Sequence, residues 1–398
     1  MNALFIDPFF VTNKNAISYH TQIFFEAISE FLPKPLIVGM RGEDNYKNDH
    51  SFIQVEPRSL KYINAFFNRS FPDITHLPDN YCWEIKDRFI HAILKNVDLS
   101  RIDFIHSFSN PHTAHLIAYE IHKKTNIPWI AQLYDPWTDN PYRQFKTSYY
   151  RRRDQDLEAL VALNAAAIIH TNHIMLEKWN ERYGEAVKGK SFVLPMSYTR
   201  DRYLNASSVP NVRKKDTIIV SYVGKLFFDR DLSDVIRAIS LIKGEKYNKK
   251  LLIRIIGEIE HHDLKMIRDY KCEDYFEIIP YQAKDKLIDY YYESDAFLLI
   301  ESPQKENVFF PSKLLDYFIF QRPIIGITPV IGETTNLLKQ SNNIAVENGD
   351  YIKLKKAFQT LLNDVTPVFD KEYYKHFSPA RLSTQYKEVV SYILSKEL

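Results

Sequence analysis

Two short stretches of this chain hold residue types that together suit a phosphate ester. The first is Phe309-Phe310-Pro311-Ser312-Lys313-Leu314-Leu315-Asp316-Tyr317-Phe318, closed by Gln321-Arg322-Pro323-Ile324-Ile325. It reads as a loop entering a helix and then a buried strand. Ser312 and Lys313 open the helix, where amide groups and a cation suit phosphate oxygens. Asp316 follows one turn later with a carboxylate for ribose hydroxyls. The arrangement fits a nucleoside diphosphate. The second stretch is Ser221-Tyr222-Val223-Gly224-Lys225-Leu226, followed by Asp229-Arg230-Asp231-Leu232. Here a strand ends in a Gly turn, and Lys225 and Arg230 lie on the loop before a helix. Two cations at the carboxyl end of a strand can grip a diphosphate and neutralise the charge growing on a leaving group. The plainer alternative is two solvated loop cations beside Asp229 and Asp231.

Composition argues against several other chemistries. Only 10 residues are Gly, and neither a GxGxxG nor a P-loop occurs, so the usual dinucleotide and Walker readings lose their support. A formal charge of +2 leaves no dominant electrostatic partner. The largest basic cluster, Arg151-Arg152-Arg153, is followed at once by Asp154 and Asp156 and reads as a solvated helix face, not a nucleic-acid footprint. Cys82 and Cys272 show no metal-ligand spacing, which points away from a disulfide framework or structural zinc and toward a reducing compartment. The N-terminus reads as a first strand, and no apolar run approaches the roughly 18 residues of a membrane span. A cytoplasmic protein, soluble or at most peripheral, is expected.

The elements that must position these residues alternate regularly, and 398 residues suit two domains. Strands are expected at 3–10, 35–39, 104–108, 128–133, 167–171 and 191–195, with helices at 18–31, 112–125, 148–164 and 174–183 between them. Residues 41–87 show no clean period. A polar stretch at 198–216 reads as a linker. The alternation then restarts, with strands at 217–223, 250–257, 276–280, 296–301, 323–328 and 343–346. Helices are expected at 232–243, 264–270, 283–294, 312–320 and 334–340. The run Tyr290-Tyr291-Tyr292 reads as a helix face packed on the sheet. This succession implies an α/β protein of two Rossmann-like lobes, 1–197 and 217–377, with ligands at the carboxyl ends of strands in a cleft between them. A terminal helix at 378–398 lies outside both series and is expected to cross between the lobes.

The second half then resembles the C-terminal half of GT-B glycosyltransferases, and within that fold glycosyltransferase family 4. The residues that carry the resemblance are Gly224-Lys225-Leu226, Arg230-Asp231-Leu232, Ile256-Gly257-Glu258, Pro280-Tyr281, Leu287-Ile288-Asp289-Tyr290-Tyr291, Asp295-Ala296-Phe297-Leu298 and the Pro311-to-Ile325 segment, in order over roughly 217–350. The first half matches more weakly through Asp103-Phe104-Ile105-His106, Asn126-Ile127-Pro128-Trp129, Asp135-Pro136-Trp137 and Val193-Leu194-Pro195, which are similar to bacterial surface-polysaccharide transferases. The resemblance implies a retaining, metal-independent enzyme with no cofactor, a nucleoside-diphosphate sugar as donor and a saccharide or lipid-linked acceptor. It places Lys225 and Arg230 on the donor diphosphate after Gly224. Ser312 and Lys313 fall beside the same phosphates, Asp316 on the ribose, and Tyr281 and Gln282 near the base.

The chain also departs from the family pattern. The first Glu of the family's E-x7-E motif falls at Val308, which leaves Glu301 or Glu306 to supply a carboxylate from the same loop. The family's Gly-Gly loop after the first strand is replaced by Thr12-Asn13-Lys14-Asn15-Ala16, and its strand-end His by Tyr134, followed by Asp135. Asp135 is the candidate to orient an acceptor hydroxyl or stabilise positive charge on the sugar, against the alternative of a turn cap before Pro136. Asn15, His106 and Tyr134 are acceptor-side candidates, and His112 lies nearby. Basic and aromatic residues between Lys61 and Phe71 offer a surface for peripheral membrane association at the inner face. Two other readings stand beside the transferase: a sugar-nucleotide epimerase on the same fold, and a GT-B-shaped binding scaffold without turnover.

Overall fold

The protein is described by a computed structural model covering residues 1–10, 16–41, 51–57, 77–79, 81–145, 147–198, 216–226, 229–365 and 367–396. Strands that are apolar at consecutive positions need cover on both faces, which parallel sheets wrapped by crossover helices provide. The chain divides into two units, Met1–Ser197 with Phe377–Leu398, and Tyr198–His376.

In the first unit, β1 (Ala3–Ile6), β2 (Leu36–Met40), β3 (Phe52–Val55), β4 (Phe104–Ser109), β5 (Trp129–Leu133), β6 (Ala167–His170) and β7 (Ser191–Val193) form a parallel sheet ordered β3-β2-β1-β4-β5-β6-β7. The crossovers carry α1 (Ala16–Ile28), α2 (Cys82–Asn96), α3 (Thr113–Thr125), α4 (Ser148–Asn164) and α5 (His173–Tyr183). One face of the sheet, through Leu4, Ile6, Ile105 and Trp129, packs against Ile85 and Phe89 of α2, Ile117 of α3, Val161 of α4 and Trp179 of α5. The other, through Phe5, Phe104 and Phe108, packs against Phe24 and Ile28 of α1.

The second unit repeats the plan. Its strands are β8 (Thr217–Val223), β9 (Lys250–Ile256), β10 (Phe276–Ile279), β11 (Ala296–Ile300), β13 (Ile324–Thr328) and β15 (Ile344–Glu347), parallel and ordered β10-β9-β8-β11-β13-β15. Two short strands, β12 (Glu306–Asn307) and β14 (Ile331–Gly332), pair separately. The helices are α6 (Ser233–Ile242), α7 (His261–Asp269), α8 (Lys284–Glu293), α9 (Lys313–Ile319), α10 (Glu333–Gln340) and α11 (Tyr351–Leu362). In both sheets the chain adds strands outward on one side and then crosses to the other. The crossover loops therefore part between β1 and β4, and between β8 and β11. Ligands of doubly wound sheets bind at the carboxyl ends of strands at such a switch point.

The terminal helix, α12 (Pro379–Ser395), opens with Ser378 accepting from the Arg381 amide, and with Pro at the first turn where no amide is missed. It belongs to the first unit: Leu382, Tyr386, Val389 and Val390 pack with Phe24 and Phe104. The sequence reading lacks β3, β12, β14, α2 and α11. The α2 core residues Ile85, Phe89 and Ile93 recur every four positions but are spaced by charged neighbours that blur the period. In α11, Leu354, Ala357, Phe358 and Leu361 form an ordinary apolar stripe. The 12–15 loop with Asn15, the 61–71 surface and nearly all of the 198–216 linker lie outside the described residues.

Candidate active site

In the second unit the chain leaves β8 through Gly224, whose φ of +129° suits glycine. A Cβ there would also fall 2.6 Å from Cε of Lys313, so the missing side chain is what lets Lys313 cross the turn. Gly257, at φ +140° after β9, presses on the same turn; a Cβ on it would meet the Gly224 carbonyl carbon at 2.7 Å. The Gly224 amide donates to the Ile256 carbonyl at 2.8 Å. These contacts explain the two glycines in a glycine-poor chain.

Helix α9 sets the position of Lys313. Leu314, Leu315, Tyr317 and Phe318 are buried, and the Tyr317 ring stacks on Phe297 of β11 at 4.4 Å. The Tyr317 hydroxyl accepts from the Val223 amide at 3.0 Å, tying α9 to the end of β8. Lys313 Nζ then reaches back to donate to the Tyr222 hydroxyl at 3.0 Å, 4.5 Å from the centre of that ring. Arg230, on the loop after β8, places a guanidinium nitrogen 3.3 Å from Oε2 of Glu301, which follows β11. Two cations and a buried carboxylate therefore gather at the β8/β11 switch point.

The charges in this cluster shift one another. Burial, reinforced by Arg230, lowers the Lys313 ammonium to about 8, with Glu301 opposing. Burial raises the Glu301 carboxyl, opposed chiefly by Arg230 and Lys313. Lys225 is about half exposed, at 53%, and pairs with Glu258 after β9, which raises its pKa. Asp231 accepts from the Ser233 amide at 2.8 Å and so serves the start of α6.

The other donor-side candidates occupy more varied places. Ser312 stands at the N-cap of α9 without a side-chain cap bond. Asp316 accepts from the Tyr291 hydroxyl of α8 at 3.4 Å. Tyr291 itself packs on Phe297, Tyr317 and Phe320, as expected of the tyrosine run. Val308 is 3% exposed, so its position presents an apolar side chain to the core. Of the two carboxylates proposed in its stead, Glu301 sits with the cations, whereas Glu306 lies on β12 opposite Ile331. Tyr281 is 76% exposed just beyond β10, and Gln282 Nε2 donates to the Pro280 carbonyl at 3.0 Å.

In the first unit the polar groups at strand ends are of a different kind. Asp135, half-buried after β5, accepts from Asn110 Nδ2 at 2.8 Å, and burial raises its carboxyl to about 6. Tyr134 is buried and stacks on Phe108. Asp7, just past β1, is fully buried; its Oδ1 accepts from the Phe9 amide at 3.0 Å, and burial pushes its carboxyl up to about 7. His106 is a core residue: it is fully buried, stacks on Phe108 at 4.3 Å, and has Nδ1 2.8 Å from the Tyr386 hydroxyl of α12. Burial holds its pKa well below the usual value. His112 lies flat against Trp137 at 4.4 Å. Both histidines thus take the packing role that a lone His most often has.

Sequence reasoning missed Asp7, Asn110 and Tyr222. The first two flank Pro8 and Pro111 directly after strands, where a polar residue marks a strand's carboxyl end. Tyr222 was hidden in an apolar strand. The Arg151–Arg153 trio is exposed as expected, while Asp154 turns inward to Arg143 and the Trp137 indole. Among the described residues no group of three or more His, Cys, Asp or Glu is arranged to hold a metal ion, and no helix is long and apolar enough to cross a membrane.

Residues 217–364 match the family model described as Glycosyl transferases group 1. No curated protein matches the chain. Among solved structures, Anabaena HepE in complex with UDP is similar over 98% of this chain and 100% of its own, with a TM-score of 0.69 at 12% identity. Sucrose-phosphate synthase from Thermosynechococcus elongatus is similar over the full length of both chains, with a TM-score of 0.68 at 13% identity. The lipopolysaccharide outer core galactosyltransferase WaaB is likewise similar over both full lengths, at 0.66 and 12%. Two wound parallel sheets and the likeness to these structures lead to one assignment: the chain has the GT-B fold, with residues 217–364 of its second unit matching the glycosyl transferases group 1 model.

Proposed function

We propose that the protein is a retaining glycosyltransferase that moves a sugar from a nucleoside-diphosphate sugar to a saccharide or lipid-linked acceptor in surface polysaccharide or glycoconjugate synthesis. The observation that carries the donor half is the gathering of Lys313, held over the Gly224 turn, with the Arg230–Glu301 pair at the β8/β11 switch point. A diphosphate brought there meets two preorganised cations, which stabilise it most as the glycosidic oxygen departs and its negative charge grows. With that charge met by side chains, the reaction proceeds without a metal or other cofactor. Lys225 adds a third, more exposed cation, and Asp316 and the Tyr281–Gln282 turn serve the nucleoside. The UDP held by the similar HepE structure supports a diphosphate nucleotide as the ligand class.

Asp135 is our candidate for the acceptor side. Burial raises its carboxyl to about 6 and Asn110 orients it, which suits a group that accepts a hydrogen bond from an attacking hydroxyl near neutral pH. Retention is inferred from the family resemblance. The test is incubation of purified protein with a panel of nucleoside-diphosphate sugars in EDTA, followed by release of the nucleoside diphosphate with and without saccharide acceptors. Acceptor-dependent release from one donor is expected, with the product anomer matching the donor by NMR. Binding of a nucleotide without any turnover would instead favour the scaffold reading, which the apolar, buried Val308 motivates.

A further inference from the structure

We infer that the Tyr222 hydroxyl is a positioning group for the donor diphosphate, locking the Lys313 ammonium and the Lys225 backbone into one arrangement; the inference rests on the reading of this cluster as the donor site. Tyr222 is fully buried near the end of β8. Its hydroxyl donates to the Lys225 carbonyl at 3.2 Å and accepts from Lys313 Nζ at 3.0 Å. A neutral phenol has one proton to give and lone pairs to receive, so both bonds are made at once. Burial raises the phenol's pKa and keeps it in that neutral form.

The arrangement solves a specific problem. A lysine is a point charge on a flexible four-carbon stem, and aiming it costs rotamer entropy each time a ligand binds. Here the stem is threaded across Gly224, the ammonium rests against the Tyr222 ring and hydroxyl, and α9 is anchored to the same strand end by Tyr317. The hydroxyl's second bond holds the carbonyl of the residue directly after the Gly turn. One oxygen thus links the helix cation to the loop that must receive phosphate. Preorganisation of this kind appears as affinity, because the ordering precedes binding.

The test is Tyr222→Phe in the full chain, which removes one oxygen and leaves the ring in place. Two readouts are taken. Without nucleotide, the pH dependence of Lys313 acylation by trace acetic anhydride is followed by mass spectrometry. The variant should show a lower midpoint than wild type, since the ammonium has lost an acceptor that favours its charged form. With nucleotide, the Kd for the preferred nucleoside diphosphate should rise about tenfold, and the fall in affinity with rising pH should begin at a lower pH. A merely structural role would move neither pH midpoint. An unchanged acylation midpoint overturns the inference, as does an unchanged Kd in a protein that binds the diphosphate. If wild type binds no nucleoside diphosphate, the donor-site reading fails and this inference falls with it. The acylation midpoint still separates that failure from a failure of the Tyr222–Lys313 contact.

Discussion

The two units wind their sheets in the same order yet furnish the switch point differently. At β8/β11 the second unit assembles charge: Arg230 against Glu301, with Lys313 held over Gly224. At the ends of β1, β4 and β5 the first unit assembles Asp7, Asn110, Tyr134 and Asp135, with no cation among these four and with both carboxyls raised by burial toward neutral pH. One scaffold therefore offers two chemistries. Preorganised cations suit a diphosphate; weakly acidic carboxyls and an amide suit hydroxyl groups, whose protons must be accepted and not merely neutralised.

The sharpest way to break this contrast is Lys313→Ala. Loss of a buried charge-assisted contact should weaken nucleoside-diphosphate binding about 100-fold by calorimetry. Asp135→Asn should leave that affinity unchanged while lowering kcat about 30-fold with saturating donor. If both substitutions weakened donor binding alike, the division of roles would be wrong. Asp7→Asn tests the first unit's burial of an acid. The wild-type carboxyl stays protonated in the folded state up to about 7 but ionises near 4 when unfolded, so stability falls as pH rises between those values. The variant should be more stable than wild type at pH 8 by about 4 kcal/mol and indistinguishable at pH 3, by urea unfolding. The smallest effect is expected for Lys225→Ala, about threefold in Kd, because this exposed side chain shares its charge with Glu258 and with solvent.

Much of this was legible in the chain. The alternation of apolar runs and helical stripes yields both parallel sheets, because a strand buried on both faces leaves an apolar signature that polar loops interrupt. The two cation-bearing loops were legible for a similar reason: Gly224-Lys225 and Ser312-Lys313 are sequence-local, and each lies where a strand hands over to a helix. What was not legible depends on side-chain direction across distant elements. Neither Glu301 nor Glu306 matches the family motif by spacing, and only the fold puts Glu301 beside Arg230. His106 looked available at a strand end, but its ring turns into the face covered by α1 and by α12, which arrives 280 residues later in the chain. The docking of α12 on the first unit likewise depends on which stripe of that helix meets Phe24 and Phe104, a choice its own residues leave open.

The central claim is that the second unit's cluster receives a nucleoside diphosphate through its own cations. It is tested most directly by calorimetric titration of the wild-type protein with UDP, GDP, dTDP and ADP in EDTA, at pH 7 and again at pH 9. The account predicts binding of one of these without metal, weaker at pH 9 because the Lys313 ammonium, lowered to about 8, is by then mostly deprotonated. Absence of binding to all four, or an affinity that depends on added divalent metal and not on pH, would contradict it.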